Sequence, residues 1–222
     1  LVPLFFVENG IIINMSIQNW FSADLHLGHD NILSLCNRPF STIQEMADVF
    51  VSNHNSLVKE NDIYWNFGDI GFRCSPQYLV SQISRLHGKF IVILGNHDKP
   101  FRQAVQLGLL NKELNSRKIQ IVGGMASIHD REIAISKMID IEGQKIFISH
   151  YSHRTWPGAF RGSYHLFGHS HDNLSPLYKS FDVGVDANGY FPISFSQIKQ
   201  RMDLIIDQFK ENDNENNDQQ SE

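Results

Sequence analysis

Five short polar clusters in the 222-residue chain carry residue types that can hold metal ions and move protons: Asp24-Leu25-His26, Gly68-Asp69, Gly95-Asn96-His97-Asp98, His150 and Gly168-His169-Ser170-His171. The donors are Asp, Asn and His, with no Cys. That nitrogen and oxygen set suits Mn, Fe, Zn, Co or Ni and suits an iron-sulfur cluster poorly. Several His donors argue against a purely Mg or Ca site. Asp24 and His26, like His169 and His171, are two apart, so on an extended backbone both members of a pair lean to one side. One pair can then grip one ion or bracket two. Taken singly, a buried Asp or His is more often a hydrogen-bonded structural residue than a ligand. Repetition of these residues beside Gly at strand ends has no structural rationale of that kind. The phosphate-cradling Gly-rich loops of nucleotide-binding proteins are absent.

The elements that must position these clusters are short apolar runs of strand length alternating with helical stretches, a pattern of α/β architecture. The runs are Asn19 to Ser22, Ile63 to Phe67, Phe90 to Leu94, Ile146 to Ser149 and Tyr164 to Phe167, and each runs almost directly into one of the clusters. If neighbouring strands are parallel, their C-terminal ends share one sheet edge and five distant segments converge there. Ser41-Thr42-Ile43-Gln44 reads as a capping box opening a helix that carries Met46, Ala47 and Phe50. Ser75 followed by Pro76 reads as an N-cap with Pro at the first helical position, the helix stopping at Gly88. Glu142-Gly143 joins Lys137–Ile141 to Gln144–Ser149 as a hairpin, and Phe181 to Val185 is a further strand. Ser194 with Gln197 caps a last helix bearing Ile198, Met202, Ile205, Ile206 and Phe209.

Lys plus Arg number 19 and Asp plus Glu 24, but Glu211, Asp213, Glu215, Asp218 and Glu222 lie in the last twelve residues. The remaining chain is balanced, which excludes a protein held to nucleic acid mainly by a broad basic face. The acidic, Asn/Gln-rich segment 211–222 is expected to be disordered. Cys36 and Cys74 are too few for a disulfide framework and lack the paired spacing of a zinc ribbon or a redox motif, so free thiols in a reducing, cytoplasmic setting are expected. Leu1 to Ile13 is apolar but short and broken by Glu8, Asn9 and Gly10, so neither a signal peptide nor a membrane span fits. Residues 1–14 read as a non-native extension before a single domain over 15–210.

The order Asp-x-His, Gly-Asp, Gly-Asn-His-Asp, His, Gly-His-x-His, from Asp24 to His171, resembles the calcineurin-like metallophosphoesterase superfamily. The stretch from Asp182 to Asp186 is similar to the strand that follows these motifs in small bacterial and phage members. The resemblance implies a four-layer αββα sandwich, two mixed sheets face to face with helices outside. It implies one metal held by Asp24, His26, Asp69 and His171, and a second held by Asp69, Asn96, His150 and His169, with Asp69 shared and His97 the catalytic histidine. Two divalent cations about 3.5 to 4 Å apart make hydroxide available near neutral pH and neutralise phosphoryl oxygens during in-line attack. The expected activity is hydrolysis of a small phosphomonoester or phosphodiester, with a nucleotide within that class.

Arg38, Arg154, Trp156 and Arg161 are the candidate substrate contacts, since Arg suits phosphate and Trp can stack on a base, although Trp as a loop packing anchor is an equally physical reading. His129 competes with His150 for the lone-histidine role, and His150 is preferred because it ends a buried strand. His29 and His165 are candidates to support the ligands from behind. Asp69 is followed by Ile-Gly-Phe rather than the extension of the Ser/Thr protein phosphatases, and Leu94 stands where those enzymes carry Arg, which disfavours protein substrates. Two competing readings stand beside the phosphoesterase. A nuclease or nucleic-acid end-processing phosphatase needs local basic residues, and a non-catalytic metal-binding scaffold would not need His97.

Overall fold

The computed structural model describes residues 5–8, 11–14, 16–123, 126–128, 131–133 and 136–205. In chain order the elements are β1 (Phe5–Glu8), β2 (Ile11–Asn14), β3 (Asn19–Ser22), α1 (Ile32–Leu35), α2 (Ile43–Leu57), β4 (Ile63–Asn66), α3 (Pro76–Ile83), β5 (Lys89–Ile93), α4 (Lys99–Gln106), α5 (Asn111–Asn115), β6 (Ile119–Gly123), β7 (Ala126–Ile128) and β8 (Arg131–Ile133). They continue as β9 (Lys137–Ile141), β10 (Gln144–Ile148), β11 (Tyr164–Phe167), β12 (Ser180–Asp182) and β13 (Ile193–Ser194), followed by α6 over 195–205. The acidic segment 211–222, His129, Ile206 and Phe209 lie outside the described residues.

Two mixed sheets form the frame. One has the order β13-β3-β4-β5-β6, the other β12-β11-β10-β9. β3, β4, β5 and β6 run parallel with β13 antiparallel at the edge, and β10, β11 and β12 run parallel with β9 antiparallel. Separate antiparallel hairpins are made by β1 with β2 and by β7 with β8. No helix among the described residues is long and apolar enough to cross a membrane.

Alternation along the strands sends side chains to two cores. Phe21, Phe67 and Ile93 of the first sheet meet Ile146, Ile148, Leu166 and Phe181 of the second, joined by Ile198, Met202 and Ile205 of α6. Tyr64, Phe90 and Val92 face the other way onto Met46, Ala47 and Phe50 of α2, Leu79 and Ile83 of α3, and Phe101 and Ala104 of α4. Each fully buried side chain of this size contributes about 1.5 to 3 kcal/mol. Helices therefore cover the outer face of the first sheet. The segment over the outer face of the second carries the short 3-10 helix Ala159–Arg161. There Phe147, His165 and Phe167 are packed by the 151–163 segment, with Trp156 stacked on His165 at 5.2 Å.

Local chemistry explains most element ends, with three differences from expectation. The capping box of α2 is shifted by one residue: Thr42 Oγ1 accepts from the Glu45 N–H, and Glu45 reaches back to the Ser41 N–H. Glu at this position offers a charged acceptor near the helix N-terminus, which Gln44 does not. Helix α3 starts as the Ser75-Pro76 signal indicates but ends at Ile83, five residues before Gly88. The strand expected over Phe181 to Val185 covers Ser180–Asp182. Glu142 and Gly143 both take the left-handed conformation that a two-residue hairpin turn requires.

Candidate metal centre

The parallel arrangement puts the C-terminal ends of β3, β4, β5, β10 and β11 on the segments that bear Asp24, Asp69, Asn96, His150 and His169. Asp24, His26 and His171 form one group whose donor atoms lie within 4.8 Å of one another, and Asp69, His150 and His169 form another. Asp69 faces both groups, with Oδ2 at 3.5 Å from His26 Nε2 and Oδ1 at 3.5 Å from His150 Nε2. Asn96 Oδ1 lies 2.8 Å from His150 Nε2. All seven residues expected as ligands are thus brought to one locus. His97 lies at its side, with its ring centroid 5.6 Å from that of His26 and its backbone N–H donating to Asp69 Oδ1 at 2.8 Å.

The backbone reaches this arrangement differently from the extended pairs expected. Asp24, His26, Asp69, His169 and His171 all have positive φ, between 47° and 67°. Such conformations cost about 1 to 3 kcal/mol each and persist only where surrounding bonds over-determine them. Those bonds come from buried carboxylates. Asp98 accepts from the N–H groups of Asp69, Ile70 and Gly95 at 2.7–2.8 Å, locking the β4 and β5 loops together. Asp182 accepts from the Ser170 hydroxyl and the Gly184 N–H, and Asp24 Oδ2 accepts from the His169 N–H at 2.8 Å. Two glycines permit the close crossing: a Cβ on Gly68 would lie 2.3 Å from Gly95 N, and one on Gly95 2.3 Å from Asp69 Oδ1.

Crowded carboxylates and imidazoles perturb one another. Burial pushes the Asp24 carboxyl up to about 7, the nearby His150 and His171 working against it and Asp182 and Asp69 with it. Burial acts the same way on Asp69, but the contact and charge of His150 and the charge of His26 outweigh it and hold Asp69 below the usual carboxylate range. Burial resists charge on His150, yet Asp69 and Asp24 lift it to about 9. Burial keeps His26 well below the ordinary imidazole value. The groups therefore divide into a buried ion pair, Asp69 with His150, and donors that are awkward in the absence of a cation.

The donors fit a divalent ion. Asp24 Oδ1, Asp69 Oδ2 and both ring nitrogens of His26 are buried and have no hydrogen-bond partner among the described residues. Orphaned buried polar atoms are uncommon and costly, about 1 to 3 kcal/mol each. A cation meeting Asp24 Oδ1, His26 Nε2 and Asp69 Oδ2 would satisfy three of them together.

The candidate substrate contacts fare less well. Arg38 is buried and committed: its guanidinium binds both oxygens of Asp186 and the carbonyls of Asp24 and Leu25, so it is not free for phosphate. Trp156 is also buried, its indole N–H donating to Ser163, which makes it the packing anchor of its loop rather than a base-stacking surface. Arg154 and Arg161 are exposed on that loop, Arg161 lying over the Phe160 ring. His29 packs against His26 at 5.4 Å and so touches the centre, whereas His165 is held by the Ser149 and Ser180 hydroxyls within the second sheet. Asp98 and Asp186 had no assigned task in the sequence. Asp98 stands within Gly-Asn-His-Asp and so carried a motif signal; Asp186 carried only its place in the last similar stretch.

No family model matches the chain. It is similar to the uncharacterized protein MJ1445 of Methanocaldococcus jannaschii, 26% identical over 192 residues that cover 83% of this chain and 86% of that protein. A shorter likeness, 32% identity over 85 residues, joins 37% of this chain to 41% of the gene 66 protein of Mycobacterium phage L5. Among solved structures, a protein of unknown function from Aquifex aeolicus, AQ665, superposes with a TM-score of 0.57 at 19% identity, over 83% of this chain and 99% of that one. That likeness concerns the fold, and with the two mixed sheets it establishes an α/β sandwich architecture.

Proposed function

We propose that the protein is a dinuclear metal-dependent phosphoesterase of the calcineurin-like fold, acting on a small phosphomonoester or phosphodiester. The observation that carries this reading is the single Asp69 carboxylate presented to two imidazoles, 3.5 Å from His26 Nε2 and 3.5 Å from His150 Nε2, each with a further Asp or His donor group around it. Asp24, His26, Asp69 and His171 would hold one ion and Asp69, Asn96, His150 and His169 the other. When bound, such a pair of ions supplies Lewis acidity, lowering the pKa of water and neutralising phosphoryl charge.

The chain's own residues supply the rest. Buried Asp98 and Asp182 fix the loops so that the donors need little rearrangement, the economy that makes preorganised sites effective. His97 is half-buried at the rim, its ring packed on Phe72 at 4.2 Å. From there the His97 ring, when it carries a proton, can donate it to the departing alkoxide. Because Arg38 and Trp156 are engaged internally, the candidate phosphate contacts that remain beside His97 are the exposed Arg154 and Arg161.

The test is metal analysis of the purified protein together with hydrolysis of aryl phosphomonoesters, aryl phosphodiesters and labelled oligonucleotides at several salt concentrations. Two divalent ions per chain with metal-dependent turnover of an aryl ester are expected. Turnover confined to oligonucleotides would replace this reading by the nuclease one. Two bound ions without turnover of any ester would leave the scaffold.

A further inference from the structure

Arg38 presents an unusual balance for a buried cation. Its five N–H donors find five acceptors: Nε meets Asp186 Oδ1 at 2.8 Å, Nη2 meets Asp186 Oδ2 and the Asp24 carbonyl at 2.7 Å each, and Nη1 meets the Leu25 carbonyl at 3.0 Å and Met46 Sδ at 3.4 Å. A buried guanidinium is tolerated only when paired and bonded in this complete way. Asp186 in turn accepts from His171 Nδ1 at 2.7 Å through the same Oδ2. A carboxylate against Nδ1 fixes the Nδ1–H tautomer and leaves Nε2 as the lone-pair donor. The His171 ring then lies 5.0 Å from that of His26. One buried cation therefore holds the backbone of Asp24 and, through Asp186, the ring of His171, although Arg38 and Asp186 are 148 positions apart.

The other donor group is oriented by different means. His150 Nδ1 contacts the Phe67 carbonyl at 2.7 Å, so its ring is oriented by the main chain of the β4 loop without Arg38 or Asp186. We propose that Arg38 and Asp186 are positioning residues that hold His171, with Nε2 free, and the Asp24 main chain as a preassembled half-site, so that this relay governs the affinity of the Asp24/His26/His171 ion and reaches the His150/His169 ion only weakly, through the His169 N–H on Asp24 Oδ2 and the shared Asp69. The inference rests on the dinuclear reading above and adds to it an order: the two ions depend on different parts of the fold.

The experiment is a titration of the metal-depleted full chain with Co2+, followed by calorimetry and by the visible absorption of the bound ion. The proteins compared are the wild type, Arg38→Met, Arg38→Lys, Asp186→Asn and His171→Ala. In the wild type two binding events are expected. In Arg38→Met and Asp186→Asn one of them weakens by about 10- to 100-fold, the range for loss of a residue behind a ligand, while the other changes by much less. His171→Ala weakens that same event. Arg38→Lys falls between, because three ammonium donors cannot meet five acceptors. Unchanged affinities, or equal loss of both, in a variant with wild-type circular dichroism would overturn the relay. Should the variants fail to fold, nitrogen-15 NMR of the metal-free wild type, recorded at a pH where the His171 ring is neutral, decides: the Nδ1–H tautomer at His171 is expected, and the Nε2–H tautomer overturns the relay. A folded wild type that takes up no divalent ion overturns the phosphoesterase reading itself, whatever the tautomer.

Discussion

His97 stands beside the donor cluster through its main chain and leaves its ring outside it. The backbone N–H is spent on Asp69 Oδ1, while the ring packs between Phe72 at 4.2 Å and His26 at 5.6 Å and belongs to neither donor group. On the phosphoesterase reading proposed above, a residue placed this way would affect turnover without affecting what the donors bind. His97→Ala is accordingly expected to lower kcat by about 10²- to 10⁴-fold, the usual range for a lost general acid, with metal content unchanged. Paired kinetics and elemental analysis check this, and parallel loss of metal and activity would make His97 a ligand. Asp69 gives the opposite pattern. Its two oxygens face His26 and His150 separately, so Asp69→Ala is expected to deplete both ions in the same elemental analysis.

Strand ends do the positioning, and they depend on glycine at one crossing. Gly68 has φ +99°, and a Cβ there would meet Gly95 N at 2.3 Å and Gly95 Cα at 2.6 Å, both backbone atoms that cannot swing aside. Gly68→Ala should therefore separate the β4 and β5 loops and break the three bonds that Asp98 makes across them. A loss of at least about 3 kcal/mol in denaturant unfolding is expected, from strain at φ > 0 together with buried groups left unpaired. An Ala variant as stable as the wild type would show that the crossing is not what holds these loops. This element scale is also where the sequence is most readable. Asn19–Ser22 and Tyr164–Phe167 are strand-length runs built around large apolar residues in the sequence and have the same bounds in the structure, because strands buried in a parallel sheet are short and carry such residues. The Ser194 and Gln197 box likewise closes in both directions. What the sequence hides is polar and long-range. Arg38 reads as a loop cation because nothing local announces that its partner is Asp186, and Trp156 is legible only as one of two readings, stacking surface or packing anchor, because the Ser163 bond that decides for the anchor forms only in the folded loop. The left-handed backbone at Asp24 and His26 is hidden for the same reason, since it is imposed by neighbours from other segments.

At the scale of the whole molecule, two buried histidines away from the donor cluster link stability to pH. His54, on α2, has Nε2 against the His87 carbonyl, and burial lowers it to about 4. His165, between the Ser149 and Ser180 hydroxyls, is lowered by burial to about 3. In the unfolded chain both take up a proton near pH 6.5, whereas in the folded protein both stay neutral to much lower pH. The unfolded state thus binds more protons between these limits, so stability rises with pH across the window. It is fully present above about pH 6.5 and declines as pH falls toward 4 for His54 and toward 3 for His165. A shift of this size corresponds to about 3 kcal/mol for His54 alone. Urea unfolding of the metal-free protein from pH 7 to pH 4 is expected to show that decline. Carboxylates of the donor cluster also titrate in acid, so the His54 contribution is read by difference. His54→Gln removes the ionisation while keeping a side-chain amide for the His87 carbonyl, and its stability should fall less steeply with acidification than the wild type's. Parallel slopes for the two proteins would show that His54 takes up its proton in the folded protein as readily as in the unfolded chain, and that the packing of α2 on Tyr64 tolerates a charge that burial is here argued to exclude.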